Sequence, residues 1–205
     1  MSGTSWFLLD DPADELELDE AELAFVARLQ ELAQSWAVSR AGSWVGRSEE
    51  DSLLVCVTLS DRERRVSLLN IGVHVTAGSM KGDRLHSQLH FLPDEPTDLA
   101  VEALGGPNEL AAQAASWFEA VLSRPLARCE WAHAGQVYAT EWMFWDTGEP
   151  LVRGIDRRLA PPPGEATDGG ARGFWANLAK PDRVVMVRSA DANADNETDQ
   201  GSPAA

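Results

Sequence analysis

Histidines are the side chains in this sequence best placed to do chemistry. Three of the four, His74, His86 and His90, lie close together in the chain. The segment from Asn70 to Phe91 around them alternates polar and apolar residues, which predicts two antiparallel strands with one polar face. Imidazoles on one face of a sheet can bind a metal, move a proton or contact a partner.

The predicted register of these strands sets the histidine geometry. If Val75 pairs with Leu85, His74 faces His86, and Gln88 lies in the same polar row. Cross-strand neighbours are about 5 Å apart at Cβ, close enough for two imidazoles to share a metal or a proton. A zinc site needs a third protein ligand, and His90 lies two pairs further along the strand. The sequence therefore predicts a polar sheet face that contacts a partner, with a metal or acid-base site as the alternative.

A second group of chemistry-bearing residues is acidic and lies beside two tryptophans. It consists of Glu130, Glu141 and Asp146. Paired carboxylates with aromatic neighbours are typical of glycosidases. However, a two-residue turn at Ala134-Gly135 would place Arg128 opposite Glu141, and this register favours a structural ion pair.

Tryptophan is abundant, with eight in 205 residues, and most of these fall at core-type positions. Trp6, Trp145 and Trp175 fit no apolar stripe and are predicted to be contact anchors, because exposed Trp is favoured at binding hot spots. For Trp175 the alternative is that it folds back onto its own core.

The familiar catalytic and cofactor motifs are absent from the sequence. It contains no dinucleotide or phosphate-binding glycine loop, no H-E-x-x-H, no C-x-x-C and no G-x-S-x-G. We therefore expect no cofactor, and an enzyme is the less favoured class. The two cysteines, Cys56 and Cys129, lie far apart within apolar runs and are predicted to be buried free thiols.

The charge is strongly negative and lies mostly at the two ends. There are 33 acids against 17 bases, a net charge of −16. Residues 10–22 hold eight acids and residues 189–205 hold four, which leaves 21 acids against 17 bases between them. No Lys/Arg cluster could track phosphates, so direct nucleic-acid binding is not expected. The acidic N-terminal stretch is either a contact for a basic partner or a solvated lead-in that favours a helix start.

The apolar runs are strand-sized, well short of the roughly 20 residues that cross a bilayer, so no membrane insertion is expected. The first ten residues have no basic region and only four consecutive apolar residues, from Trp6 to Leu9, unlike a secretory signal. We expect a cytoplasmic protein.

The elements that position these residues follow from hydrophobic periodicity, caps and turns. Asp19 and Glu22 predict a capped helix start. The predicted elements are a helix over 20–38, strands over 43–47, 53–59, 65–76 and 84–92, a short helical piece over 97–104, a helix over 107–123, and strands over 126–133 and 136–146. The fold class is α+β, in the order α-ββββ-α-ββ, with an antiparallel or mixed sheet of about six strands, helices on one face and a flexible C-terminal arm.

The predicted organisation has four parts. Residues 1–18 form an acidic lead-in, 19–159 a single α+β domain, 160–188 a Pro/Gly-rich arm with a short packed segment and a short strand over 183–188, and 189–205 a disordered acidic tail.

These observations favour a non-enzymatic protein-interaction module of the chaperone, adaptor or immunity (toxin-inhibitor) type, with a protein partner. The alternative is a small-molecule- or metal-binding protein, with enzymes included, that uses the His-bearing sheet face. Monomer and homodimer both remain open.

Overall fold

The computed structural model describes residues 6–9, 16–36, 41–161, 175, 178 and 180–188. The fold class is confirmed as α+β: these residues form two helices and two antiparallel sheets of five and four strands. Two sheets thus replace the predicted sheet of about six strands. Contacts divide the chain into two compact units, Met1–Ser123 and Arg124–Ala205. Because contacts do not measure independent folding, the single domain over 19–159 stays a prediction. The residues of the predicted acidic tail lie outside the described part of the chain.

The first unit contains both helices and five strands. They are α1 (Glu20–Ala33), β1 (Ala41–Arg47), β2 (Leu53–Asp61), β3 (Val66–Thr76), β4 (Ser79–Arg84), β5 (Val101–Leu104) and α2 (Pro107–Leu122). The strands pair in chain order as one antiparallel sheet. Neither helix is long and apolar enough, within the described residues, to span a membrane.

The helix starts follow from local hydrogen bonds. The Asp19 carboxylate accepts from the Glu22 amide at 2.8 Å, and Glu22 accepts from the Asp19 amide at 3.0 Å. This reciprocal capping box confirms the predicted start of α1. At α2 the Glu109 carboxylate accepts from the Gly106 amide at 2.9 Å, which again satisfies a donor at a helix N-terminus.

One face of the five-stranded sheet packs against the helices. It carries the fully buried Val55, Val57, Ile71 and Val73 of the central strands. An aromatic cluster lies with the helices and includes Trp6, whose ring meets that of Trp36 at 5.1 Å. Since Trp6 is buried, its prediction as a contact anchor is wrong, and it contributes instead to packing.

The opposite face of the same sheet has a small core of its own. It is built from Leu54, Cys56 and Leu85, with Trp44 and Leu92 packed against them. The prediction of buried free thiols is confirmed for both cysteines. Burial raises the pKa of the Cys56 thiol to about 12 and also raises the pKa of Cys129.

The turn after β3 lies earlier and is shorter than predicted. Thr76 pairs with Ser79, so Ala77 and Gly78 alone make the connection, with Gly78 at φ +77°. The next strand therefore ends at Arg84, and the predicted strand over 84–92 is wrong. Residues 101–104, predicted as part of a helical piece, form β5.

The second unit contains four strands: β6 (Leu126–His133), β7 (Gln136–Phe144), β8 (Glu149–Ile155) and β9 (Arg183–Arg188). Their order in the sheet is β8-β7-β6-β9. The short strand expected in the C-terminal arm is present as β9, whereas β8 was not predicted.

A register shift between Trp131 and Ala132 decides which residues of β6 and β7 share a face. Near the turn His133 pairs with Gln136, as predicted. Beyond the irregularity Arg128 pairs with Trp142, so the predicted pairing of Arg128 with Glu141 is wrong. One extra residue in a strand moves every later side chain to the other face.

Gly72 lies on the face of the five-stranded sheet that carries Cys56, where there is no room for a larger side chain. A Cβ at this position would lie 2.5 Å from Leu85 Cδ1 and 2.8 Å from the Val55 carbonyl oxygen. We expect Gly72→Ala to lower the free energy of unfolding by about 1–3 kcal/mol, because the backbone contact cannot move aside. Chemical denaturation measures the loss. Gly42→Ala is the matched control, since nothing lies within 4 Å of its Cβ; equal effects of the two substitutions would contradict the steric argument.

Candidate functional site

The candidate site is the segment between β4 and β5, residues 85–100, here called the β4–β5 loop. Its 16 residues include no helix or strand. Irregular segments of this length are uncommon in compact domains and are usually functional. The loop carries three of the predicted site residues, His86, Gln88 and His90.

His74 connects this loop to the sheet. Its Nε2 lies 3.1 Å from the His90 carbonyl oxygen, and its Nδ1 lies 3.1 Å from Ser52 Oγ. A carbonyl only accepts, so Nε2 carries a proton, and in the neutral form of the ring Nδ1 accepts from Ser52. Ser48 Oγ, at 2.7 Å, then donates to Ser52 Oγ. The result is one directed hydrogen-bond chain from Ser48 to the loop backbone.

The loop backbone is held in an uncommon conformation at the end of this chain. His90 has φ +55°, in the left-handed region that non-glycine residues rarely adopt. The His90 ring meets Trp44 edge-on at 4.9 Å, and its amide donates to the His86 carbonyl at 3.0 Å. These contacts from three directions hold the strained residue in place.

His86 organises the tip of the loop. Its Nδ1 accepts from the Gln88 and Leu89 amides at 3.4 and 3.2 Å, and its ring stacks on Phe91 at 4.9 Å. The predicted pairing of His74 with His86 is wrong, because His74 lies opposite Lys81 on β4. The structure therefore brings His74 to the backbone of His90 and gives His86 separate partners. Gln88 is exposed.

The far end of the loop is fixed by a buried carboxylate. Asp83 accepts from the Thr97 amide at 2.8 Å and also from the Thr97 hydroxyl. Near the start, Leu85 donates its amide to the Asn70 carbonyl at 2.8 Å and fills the space beside Gly72. Leu85 therefore covers the sheet surface at Gly72.

Between these anchors the loop presents large apolar side chains to solvent. Leu89 is 53% exposed and Phe91 is 46% exposed. Exposed acids follow at Asp94, Glu95 and Asp98. Sequence reasoning missed this surface because the alternation from Leu85 to Phe91 was interpreted as one buried face of a strand. The signal against that interpretation was Pro93 and Pro96 directly after it.

The Ser52 and His74 pair has the donor and acceptor of a nucleophile and its base. Ser52 is buried, however, and its hydroxyl is bonded on both sides. The contacts of the pair join β3 to the backbone of the loop. Among the residues the structure describes, no three His, Cys, Asp or Glu side chains are grouped as a metal site would need. The small-molecule or metal-binding alternative stays a prediction.

The remaining predicted contact residues lie in the second unit. Trp145, directly after β7, is 51% exposed. Trp175 meets the Trp131 ring edge-on at 5.9 Å, and the Arg153 guanidinium lies 5.2 Å from its ring centroid. Trp175 therefore packs within the second unit, which agrees with the alternative that it folds back onto its own core.

The three carboxylates that the sequence analysis singled out in this unit each pair with an arginine. Glu130 bonds to Arg128 on the same strand at 2.9 Å, in a fully buried pair. Glu141 bonds to Arg153 across the β7–β8 ladder. Asp146 accepts two hydrogen bonds from Arg124, both at 2.9 Å. Structural ion pairs are thus present, with partners that differ from the predicted one.

Comparison with known proteins gives no matching family model, and no curated protein or solved structure is significantly similar to this chain.

Removal of the His74 ring should loosen the β4–β5 loop. His74→Ala leaves the Ser52 hydroxyl and the His90 carbonyl without this partner, and we expect a loss of about 1–3 kcal/mol in the free energy of unfolding. Amide hydrogen exchange should become faster at His86 and His90, whose amides donate within the loop. His133→Ala, at an exposed position, is the control. Unchanged exchange rates at His86 and His90 in the His74 variant would show that contacts within the loop are enough to keep it ordered.

The Asp146 pair should be visible in its titration. Hydrogen bonds from Arg124 hold the pKa of Asp146 below its ordinary value. A lowered folded-state pKa contributes stability above the unfolded-state pKa, and this is lost as pH falls through the folded-state value. We expect Arg124→Gln to raise the pKa of Asp146 in an NMR titration. The variant should also lose less of its free energy of unfolding than the wild type does as the pH falls through the folded-state pKa. An unshifted carboxyl resonance would contradict the assignment of Arg124 as the cause.

Proposed function

We propose that this protein is a non-enzymatic interaction module and that the β4–β5 loop is its contact surface for a protein partner. The observation that carries the proposal is the exposure of Leu89 and Phe91 on a loop that the sheet holds in place. Exposed apolar groups on an ordered loop are typical of contact surfaces. Chaperones, adaptors and toxin inhibitors all act through such surfaces.

The loop is ordered before any partner binds. His74 fixes the His90 carbonyl, and His86 fixes the Gln88 and Leu89 amides on one side and stacks on Phe91 on the other. A preorganised loop loses little conformational entropy on binding, so more of its contact energy appears as affinity. These contacts also hold His90 at its strained φ, and strained residues of this kind are typical of functional sites.

The charge around the apolar tip specifies the partner. Asp94, Glu95 and Asp98 are exposed on the same loop, and the whole chain has a net charge of −16. We infer a protein surface with an apolar pocket for Leu89 and Phe91 and Lys or Arg around its rim. Complementary charge of this kind accelerates association and makes it sensitive to salt.

A pair of matched variants tests this function. Leu89→Ser combined with Phe91→Ser removes the apolar tip, whereas Leu104→Ser removes an even more exposed apolar side chain, 81% exposed, from the edge strand β5. A partner is identified by photo-crosslinking from position 89, purified, and its affinity measured for each form. We expect the double variant to bind at least about tenfold more weakly and the Leu104 variant to bind as the wild type does. Raising the salt concentration should weaken wild-type binding.

Three results would overturn the proposal. The double variant, folded as judged by circular dichroism, could keep its affinity for the crosslinked partner. Leu104→Ser could weaken binding equally, or position 89 could crosslink only to a second copy of this chain or to nothing.

A further inference from the structure

A cavity of about 470 Å³ opens on the helix-covered side of the first unit. Four segments line it: the start of α1, the turn before β2, the β3–β4 turn and the start of α2. Cavities of this size are typical of sites for small organic ligands. It is distinct from the β4–β5 loop, which folds over the opposite face of the sheet.

The floor of the cavity is apolar. Phe25 of α1, Val75 of β3 and Leu110 of α2 all contribute to it, and all three are buried. An apolar floor favours the hydrocarbon part of a ligand, because each buried methylene contributes about 0.8 kcal/mol.

Carboxylates surround this floor. Asp19, Glu22, Glu50 and Asp51 are among the described lining residues, and none of those residues is Lys or Arg. Glu22 is committed to a two-pronged ion pair with Arg47. The Asp51 side chain is 93% exposed and reaches Arg47 Nε only at 3.8 Å, and Glu50 is exposed beside it. The mouth therefore keeps carboxylates that are open to a ligand.

Helix N-termini ordinarily favour anions, and both helices begin at this cavity. Here acidic side chains already occupy part of each N-terminus: Asp19 accepts from the Glu22 amide of α1, and Glu109 accepts from the Gly106 amide before α2. An anionic ligand would meet the exposed carboxylates of Glu50 and Asp51, because the nearby Arg47 is already bonded to Glu22 and the described lining residues include no Lys or Arg. The electrostatics therefore select a cation.

We propose that this cavity binds a small organic cation, with an apolar ring or chain on the floor of Phe25, Val75 and Leu110 and an ammonium or guanidinium group at Glu50 and Asp51. The site is separate from the partner surface on the β4–β5 loop, although Ser52 lines the cavity and also bonds His74, which holds that loop.

Three molecules that share one ring and differ in charge test the proposal: naphthylmethylamine, naphthylmethanol and naphthoate. Isothermal titration calorimetry measures each against the full chain, and NMR shifts of the Ala77 and Gly106 amides locate binding at the cavity. We expect the amine to bind at least about tenfold more tightly than the alcohol, and the carboxylate not to bind.

Two variants separate charge from shape. Asp51→Asn removes one carboxylate, and Asn tolerates the φ of +61° found there. It should weaken amine binding about threefold to fivefold, while Glu119→Gln, an exposed acid elsewhere on α2, should not. Ala21→Trp should block the cavity, with folding checked by thermal unfolding. Equal binding of all three molecules, equal effects of the two acid variants, or no binding of the amine would overturn the proposal.

Discussion

The hydrogen bond from His74 to the His90 carbonyl is the contact on which the surface of the first unit depends. It joins the central strand β3 to a loop that has no regular structure of its own. Without it, the Trp44 ring would be the remaining contact described from the sheet to His90, and the left-handed backbone there would depend mainly on the loop itself. One imidazole thus links the register of a buried sheet to what the protein presents to solvent.

The sequence predicts elements well where the signal is local. The carboxylates of Asp19 and Glu22 act within one helical turn, so the start of α1 could be placed from four residues. The turn after β3 could not be placed, because Gly82 and Asp83 look like turn residues although Ala77 and Gly78 make the turn. Asp83 is tolerated in a buried strand because its carboxylate accepts from the neighbouring Arg84 amide and from Thr97, fourteen positions later. A pattern within one segment does not contain that partner.

The same limit applies to the candidate site. His74 and His90 do meet, but through a backbone carbonyl that side-chain patterns do not reveal, and His86 is not the partner of His74 that the pattern predicts. In the second sheet a single irregularity beside Trp131 reassigned the partners of Arg128 and Glu141. Trp175 likewise finds its packing partner far away in sequence. Register shifts and long-range packing depend on the whole fold.

The burial of Cys56 gives the protein an internal reporter of its own motion. The thiol lies in the small core with Leu85, where the β4–β5 loop begins, and its pKa of about 12 leaves almost no thiolate near neutral pH. Alkylation can therefore proceed only when this face of the sheet opens and the thiol reaches water. The rate at which Cys56 is alkylated in the native protein thus reports how often this face of the sheet opens at equilibrium, and no introduced probe is needed.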